Sequence, residues 1–505
     1  MFGGSHWRPR LNESDLMRTA TMIVLVLLAS AVIGLLRDAA IASYLGTSIS
    51  TDVLFLALAV PATLESVFGI ATRDAMVHRL CGNNFKSDGE FAALESRLVS
   101  RALRLGVLVF LLALVVSPWI TGFLAPGWTE SVHRFAIAPV AIGILLAAFQ
   151  LWSYVQAAQF NVRGSFLVAN LRAPMAGVST IIAVVLWPGN PAAIVAIVAV
   201  ATIAFVVVSA NRLRSMHLPV GVTAAVAPSF EPTRGVFGAL VAAAGLQQLV
   251  LVAERLFASF LATGVLTQMA LAFRISSLIV TLIAFAVFST AFPDMVRAWS
   301  TGDLRAYRHY HERALLFGLL FMVPAAALCA CKADVLVSLL FERGAFTESE
   351  RQSVASMVRI YSAAVPGLML LQLWSRALVA QGRSGAIVVG SGLALSVTIA
   401  LDFMMVRSLG ASGLVWAFVC GCWVNVLVVG LAIRATVGLS AGTFVRWLVI
   451  AVSSIAALLL IPPVSSRILS MALGALVVVV VAGSLAAILG ELPGVRSKVQ
   501  KRASR

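Results

Sequence analysis

Windows of about 20 mostly apolar residues recur along almost the whole chain, with only short polar breaks between them. Of the 505 residues, 60% are hydrophobic and 11% are charged, a balance that a water-soluble core cannot absorb. The bilayer is therefore the solvent, and the pattern predicts an all-α polytopic membrane protein. The first window, 19–36, is too long for a signal peptide and lacks a small-residue cleavage site, so we expect it to remain as a span.

Hydropathy predicts fourteen transmembrane helices when proline, glycine and charged residues are taken to mark the ends of spans. They lie near 19–45, 52–71, 105–124, 135–158, 166–187, 192–210, 236–258, 266–292, 314–330, 354–377, 386–406, 413–433, 444–461 and 468–489. The predicted organisation is an N-terminal tail (1–18), an N-lobe (19–210), a linker (211–235), a C-lobe (236–433), two further spans (444–489) and a basic tail (490–505).

The net charge of +16 follows the predicted topology. If both termini are cytoplasmic, most loop lysines and arginines fall on the inside, as the positive-inside rule requires. The basic loops lack interleaved aromatic residues that could stack on bases, so we do not expect nucleic-acid binding. The longest predicted outer loop, 331–353, is too short for a catalytic domain, and the cytoplasmic loops carry no nucleotide-binding or triad motif. A transporter is therefore expected rather than an enzyme.

Ionisable residues also occur inside the predicted spans, where each costs about 2.5–3.5 kcal/mol on insertion scales. The arginines in or at the ends of spans are Arg37, Arg172, Arg255, Arg274, Arg359, Arg376 and Arg446. The acidic residues are Asp38, Asp52, Glu65, Glu254 and Asp402. Most of them fall on spans 1, 2, 7 and 8, which would suit a transporter with two related halves around a central cavity.

Two interpretations of these charges stay open at this point. In the first, Arg37 pairs with Asp38 or Glu65, and Arg255 pairs with Glu254, to neutralise charge between packed helices. In the second, the guanidiniums line a solvated cavity and bind an anionic head group, because the planar fork of arginine suits phosphate oxygens. Arg274 is the best single candidate for such a role, since it has no carboxylate within a helical turn.

Two segments resemble a known family. The run Arg-Asp-Ala-Ala-Ile-Ala-Ser-Tyr-Leu-Gly at 37–46, followed by Thr51-Asp52 and Pro61, resembles the first two spans of the MurJ (MviN) family of lipid II flippases. The run Leu-Phe-Glu-Arg-Gly-Ala-Phe-Thr at 340–347 resembles the segment that joins spans 9 and 10 in that family. The resemblance implies the multidrug/oligosaccharidyl-lipid/polysaccharide exporter fold, with two six-helix lobes around a central cavity plus two C-terminal helices that form a groove for the lipid tail.

The resemblance also implies a function. The expected activity is translocation of an undecaprenyl-diphosphate-linked glycan, most simply lipid II for peptidoglycan synthesis, by alternating access. The expected protein is a multi-pass monomer of the bacterial inner membrane, in contact with membrane lipids and with both termini cytoplasmic. The substrate-binding residues expected on this basis are Arg37, Asp38, Asp52, Glu65, Arg255 and Arg274.

Some relatives hold a sodium ion between spans 7, 11 and 12, and Glu254, Thr398 and Asp402 fall near the matching positions. Hard oxygen ligands suit Na⁺, but two carboxylates could equally titrate with H⁺. Asp402 could instead be a simple charge at the outer end of span 11, close to Arg407. No other cofactor is expected.

Three positions depart from the family pattern. The family usually carries arginine where this chain has Ala31 and Glu65, and an acidic residue where it has Ser277. A carboxylate in place of an arginine would weaken diphosphate binding unless Glu65 is neutralised or turned toward Arg37. A flippase for an exopolysaccharide or O-antigen repeat unit, a multidrug/cation antiporter and a scaffold without transport activity are the alternatives.

Overall fold

The computed structural model describes residues 13–81, 88–216, 234–437, 449–450, 452–458 and 466–488. Within these ranges the regular structure is helical and contains no strand, which confirms the predicted all-α class. Most of the predicted tails and linker (1–12, 217–233 and 489–505) and parts of predicted span 13 lie outside the described residues. The chain divides into two compact units, Met1–Glu231 (the N-unit) and Pro232–Arg505 (the C-unit).

The N-unit is built around one long helix that packs against most of the others. This helix, α5, contacts α2, α3, α4 and α8, while α1 packs against α7. Helices α2 and α5 approach closely at Gly143 of α5. A Cβ at this position would lie only 2.5 Å from the backbone oxygen of Ala57 in α2. The helices of the N-unit are α1 (Glu13–Leu45), α2 (Ile49–Leu64), α3 (Ile70–Cys81), α4 (Asp88–Leu124), α5 (Glu130–Val162), α6 (Phe166–Asn170), α7 (Arg172–Leu186) and α8 (Pro191–Ser215).

Helix α2 begins with a capped turn and ends in an irregular one. Gly46 has a φ of 59°, a left-handed conformation that suits glycine and reverses the chain between α1 and α2. Ser48 then caps α2 by accepting a hydrogen bond from the Thr51 backbone. At the other end, Pro61 is followed by a π-helical turn, Glu65–Gly69, before α3 begins. Such turns are rare and occur often at functional sites.

The C-unit contains a helical run of 53 residues, α15 (Gly385–Val437), in which two helices join at Gly410. This run packs against α9, and α10 packs against α11, α13 and α14. The helices of the C-unit are α9 (Arg234–Ala258), α10 (Val265–Ser300), α11 (Leu304–Cys331), α12 (Ala333–Phe341), α13 (Glu348–Ser362), α14 (Val365–Ala380), α15 (Gly385–Val437), α16 (452–458) and α17 (Arg467–Ile488).

One predicted span is divided in the structure, and two others are joined in one helical run. The predicted span 354–377 is two helices, α13 and α14, bent by 43°. Pro366 explains the break, because its ring and missing N–H disrupt the preceding helical turn. The predicted spans 386–406 and 413–433 both lie in the 53-residue α15. At 1.5 Å per residue this helix would measure about 80 Å if straight, but Gly410 turns its backbone with φ 56° and ψ −134°.

Eight helices among the described residues are long and apolar enough to cross a membrane, and the bent pair α13 and α14 would add a ninth. This finding agrees with a polytopic membrane protein. The total of fourteen spans stays a prediction, because part of span 13 lies outside the described residues and α15 counts once although it covers two predicted spans.

The segment 340–347 is part of an ionic cluster that joins three helices. Glu342, which follows α12, accepts a hydrogen bond of 2.8 Å from Arg467 at the start of α17. Arg351 of α13 lies 3.8 Å from Glu342 and 3.5 Å from Asp334 of α12. Thr347 caps α13 in a capping box. The cluster therefore links the last described helix to the body of the C-unit.

Candidate functional site

Arg37 and Asp38 form an ion pair on α1. Arg37 donates from both Nε and Nη2 to Asp38 Oδ1, at 2.9 and 2.7 Å. The Asp38 side chain is buried, whereas that of Arg37 is 30% exposed. Within the described part of the chain, the Nη1 group of Arg37 has no protein acceptor. The pair thus neutralises the buried carboxylate and leaves one edge of the guanidinium available to a ligand.

Asp52 lies in the first turn of α2 and is buried. The positive end of the helix dipole stabilises a carboxylate at this position. The neighbouring Thr51 hydroxyl donates to the backbone oxygen of Gly46 at 3.1 Å, which fixes the turn that precedes the helix. This local role accounts for the position of Asp52, and its contact with substrate stays a prediction.

Glu65 is neutralised by residues other than Arg37. Its Oε1 atom accepts hydrogen bonds from the Tyr154 hydroxyl at 2.7 Å and from Arg172 Nη2 at 2.5 Å. Arg172 Nη2 also lies 3.1 Å from the Tyr154 oxygen, and its guanidinium carbon lies 4.9 Å from the centre of the Tyr154 ring. These three residues form the Glu65 cluster, which joins the irregular end of α2 to α5 and α7.

The π-helical turn shapes the Glu65 cluster. A Cβ at Gly69, the last residue of that turn, would lie 2.8 Å from the Tyr154 ring, so only glycine lets the ring pack so closely. Sequence reasoning singled out Arg172 as a charge at the end of a span but did not pair it with Glu65. The two residues are 107 positions apart, and no local pattern connects them.

In the C-unit, Glu254 and Arg255 lie near the end of α9, in an electrostatic cluster with two other helices. The Tyr361 hydroxyl of α13 is within hydrogen-bonding reach of Glu254, and Asp402 of α15 is close enough to act on Glu254 electrostatically. Arg255 acts on both Glu254 and Tyr361. The structure therefore brings together Glu254, Arg255 and Asp402, three of the residues that the sequence singled out.

The same cluster contains buried oxygen atoms that lack partners. Among the described residues, Glu254 Oε1, both carboxylate oxygens of Asp402 and Thr398 Oγ1 accept or donate no hydrogen bond. Thr398 and Asp402 are fully buried. Orphaned buried oxygens usually have a partner in the working protein. The donor set, two carboxylates and a hydroxyl, fits a hard cation such as Na⁺, or protons held by the carboxylates.

Arg274 lies on α10, beside an aromatic cluster. Its neighbour Phe273 packs edge-on against Tyr361 and Phe418, with ring centres 5.5 Å apart in both pairs. Arg274 itself is half-buried, and Ser277 donates to its backbone oxygen at 3.0 Å. Because Tyr361 also contacts Glu254, the aromatic cluster connects the helix of Arg274 to the acidic pair. A contact of Arg274 with substrate stays a prediction.

Comparison with known proteins identifies a family. The family model described as "Lipid II flippase MurJ" matches residues 41–449. Relatives named "Probable lipid II flippase MurJ" include those of Rhizobium tropici, 22% identical over 79% of this chain and 77% of the relative, and Vibrio cholerae, 23% identical over 71% of each. The relative of Rhizobium meliloti is 28% identical, over only 32% of this chain and 31% of that protein.

Solved structures share the fold. A structure titled "Lipid II flippase MurJ, inward closed conformation" covers 93% of this chain and 99% of its own, with a TM-score of 0.78 and 17% identity. An inward-facing multidrug resistance MATE family transporter of the MOP superfamily covers 83% of this chain and 100% of its own, with a TM-score of 0.60 and 18% identity. The shared fold confirms a multi-pass membrane protein. The family match over most of its length shows that this chain belongs to the MurJ family of lipid II flippases.

Proposed function

We propose that this protein translocates lipid II, an undecaprenyl-diphosphate-linked glycan, from the inner to the outer leaflet by alternating access. The observation that carries the proposal is the hydrogen bonding of Arg37, in a chain that matches the family model over 41–449. Asp38 holds the guanidinium on one edge, and the other edge is open to a ligand. A partly exposed arginine with a free edge suits a diphosphate, which accepts hydrogen bonds from two N–H groups at once.

The other predicted binding residues take distinct parts in this proposal. The role proposed for Arg274 is to bind the diphosphate or the sugar of the cargo. Asp38 orients Arg37, and Asp52 accepts a hydrogen bond from a hydroxyl or amide group of the glycan. Glu65 acts by positioning Arg172 and Tyr154. Arg255 balances Glu254 and contributes positive potential near the acidic pair.

Coupling to a cation is part of the proposal. The buried oxygens of Glu254, Thr398 and Asp402 supply a site for Na⁺, or the two carboxylates carry H⁺. Binding there would favour one packing of α9 against α15, because the ligands come from both helices. A cation gradient could thereby bias the equilibrium between the two transport states.

The cellular setting follows from the function and the loop charges. The protein is proposed to lie in the bacterial inner membrane with both termini cytoplasmic, in keeping with the basic loops expected on that side. It works as a monomer in contact with membrane lipids, and its basic residues serve topology and lipid contact rather than nucleic-acid binding.

A complementation experiment tests the proposed function. Cells depleted of their own lipid II flippase would receive the parent chain, Arg37→Ala or Arg134→Ala. Arg134 is a matched control, because it pairs on an exposed helix face with Glu130 in the same unit. We expect growth from the parent and from Arg134→Ala, and none from Arg37→Ala. Failure of the correctly inserted parent would contradict the lipid II assignment, and rescue of a strain lacking a different repeat-unit flippase would favour another lipid-linked glycan.

A further inference from the structure

The hydrogen bonds of Arg172 leave much of its guanidinium without protein partners. Both bonds, to Glu65 and to Tyr154, use Nη2. An arginine has five N–H donors, and Nη2 carries two of them. The three on Nε and Nη1 have no protein acceptor within the described ranges. The side chain is 12% exposed, and neither Nε nor Nη1 is among the fully buried atoms without a partner, so solvent or a ligand can reach these donors.

A second buried arginine in the same unit pairs with its carboxylate in a different, bidentate way. Arg163 donates from Nη1 and Nη2 to the two oxygens of Glu95, at 2.7 and 3.0 Å, and also from Nη1 to the Gln159 backbone oxygen at 3.2 Å. That arginine uses both terminal nitrogens on the protein, while its buried Nε has no partner among the described residues. Arg172 instead contacts only one carboxylate oxygen. Its guanidinium is held in place, but Nε and Nη1 have no protein acceptor in the described part of the chain.

The surroundings of Arg172 keep the guanidinium in one orientation. The Tyr154 ring lies beneath it and gains a cation–π contact, while the ring is packed against Gly69. Arg73, shortly after the π-helical turn, also acts on Tyr154 electrostatically and adds positive potential. A guanidinium oriented in advance loses less entropy when it binds an anion.

We propose that Arg172 is an anion-binding residue of the N-unit that receives the diphosphate of the lipid-linked cargo, with Glu65 and Tyr154 as its positioning residues. This inference rests on the proposed function. In the proposed orientation, the start of α7 and the end of α2 lie toward the cytoplasmic face, where the cargo is taken up. Arg37 lies nearer the outer end of its span, so the N-unit offers one arginine at each end of the path.

The role of Glu65 follows from its position. The carboxylate keeps Arg172 oriented between transport cycles, in the place that an anionic ligand would take. It does not reverse the local field, because Arg172 compensates its charge directly. The guanidinium in this neighbourhood is supplied from α7.

Binding of undecaprenyl diphosphate to the purified full-length chain, measured by native mass spectrometry with undecaprenol as the phosphate-free comparison, tests the assignment. The variants are Arg172→Ala, the double variant Glu65→Gln/Arg172→Ala and the control Arg163→Ala, each with its thermal midpoint. Arg172→Ala should weaken binding of undecaprenyl diphosphate by about tenfold or more, the loss expected for a charge-assisted bidentate contact. Binding of undecaprenol should not change.

The double variant separates a binding role from a structural one. It removes the unpaired carboxylate, so the thermal midpoint should recover toward that of the parent, while binding of undecaprenyl diphosphate stays weak. Arg163→Ala should lower the thermal midpoint and leave binding by the folded fraction intact. If the double variant binds undecaprenyl diphosphate as the parent does, the assignment of Arg172 is wrong. If the parent itself does not prefer undecaprenyl diphosphate over undecaprenol, the proposed function falls as well.

Discussion

At the scale of single residues, the buried oxygens of the C-unit give the most direct prediction. If Glu254, Thr398 and Asp402 bind Na⁺, the parent should be more stable in NaCl than in KCl at equal ionic strength, by about 2.7 kcal/mol when Na⁺ is at 100 times its dissociation constant. Asp402→Asn should abolish this difference, and Asp74→Asn, at an exposed carboxylate of the N-unit, should keep it. Thermal unfolding in the two salts is the measurement, and a full Na⁺ effect in Asp402→Asn would contradict the site.

Sequence reasoning predicted some of these residue contacts and missed others for a physical reason. Asp38 directly follows Arg37 in the chain, and it is one of the two partners that the sequence offered for Arg37. For Glu65 the sequence left open neutralisation or a turn toward Arg37. The structure shows neutralisation, by Arg172 from a distant helix that the sequence did not identify. Hydropathy shows that a charge lies within a span, but it does not show which neighbouring helix the charge faces.

At the scale of helices, close packing around α15 gives a prediction with an internal control. A Cβ at Gly421 would lie 2.1 Å from Thr398 Oγ1 and 3.0 Å from the Ala394 backbone oxygen. Gly421→Ala should therefore destabilise the protein by about 1–3 kcal/mol, as overpacking does. Gly392→Ala on the same helix meets only an ordinary contact at 3.9 Å, and should be neutral or stabilising by up to about 1 kcal/mol.

Thermal unfolding of the two glycine variants, with Na⁺ and without it, checks this packing. Gly421→Ala should also weaken the response to Na⁺, because the added methyl group must displace Thr398. Equal stability of the two variants would contradict the close approach of the two parts of α15.

The helices themselves were predictable to different degrees. Long apolar runs predicted the helical class, since a bilayer leaves the backbone few other ways to satisfy its hydrogen bonds. The break between α13 and α14 was not predicted, whereas the turn at Gly410 lies in the predicted connection between the spans 386–406 and 413–433. Hydropathy averages over about 20 residues, whereas the break within the predicted span 354–377 depends on one proline. The ionic contact between Glu342 and Arg467 also joins positions that are 125 residues apart.

At the scale of the whole molecule, the sequence identified the family from two short segments, and the family match over 41–449 confirms it. The predicted lobes, the total of fourteen spans and the roles of the site residues remain predictions. They depend on membrane position and on substrate, which apolar periodicity does not specify. The chain combines the family fold with an ion pair between Glu65 and Arg172.

Translocation of lipid II by the purified protein in liposomes tests the central claim most directly. Fluorescent lipid II would be reconstituted in both leaflets, and the fraction accessible to a membrane-impermeant quencher or enzyme followed with time. The account predicts that vesicles with the parent protein expose the inner-leaflet lipid II faster than empty vesicles, and that Arg37→Ala vesicles do not. An exposure rate equal to that of empty vesicles, with the parent folded and inserted, would contradict the assignment of this chain as a lipid II flippase.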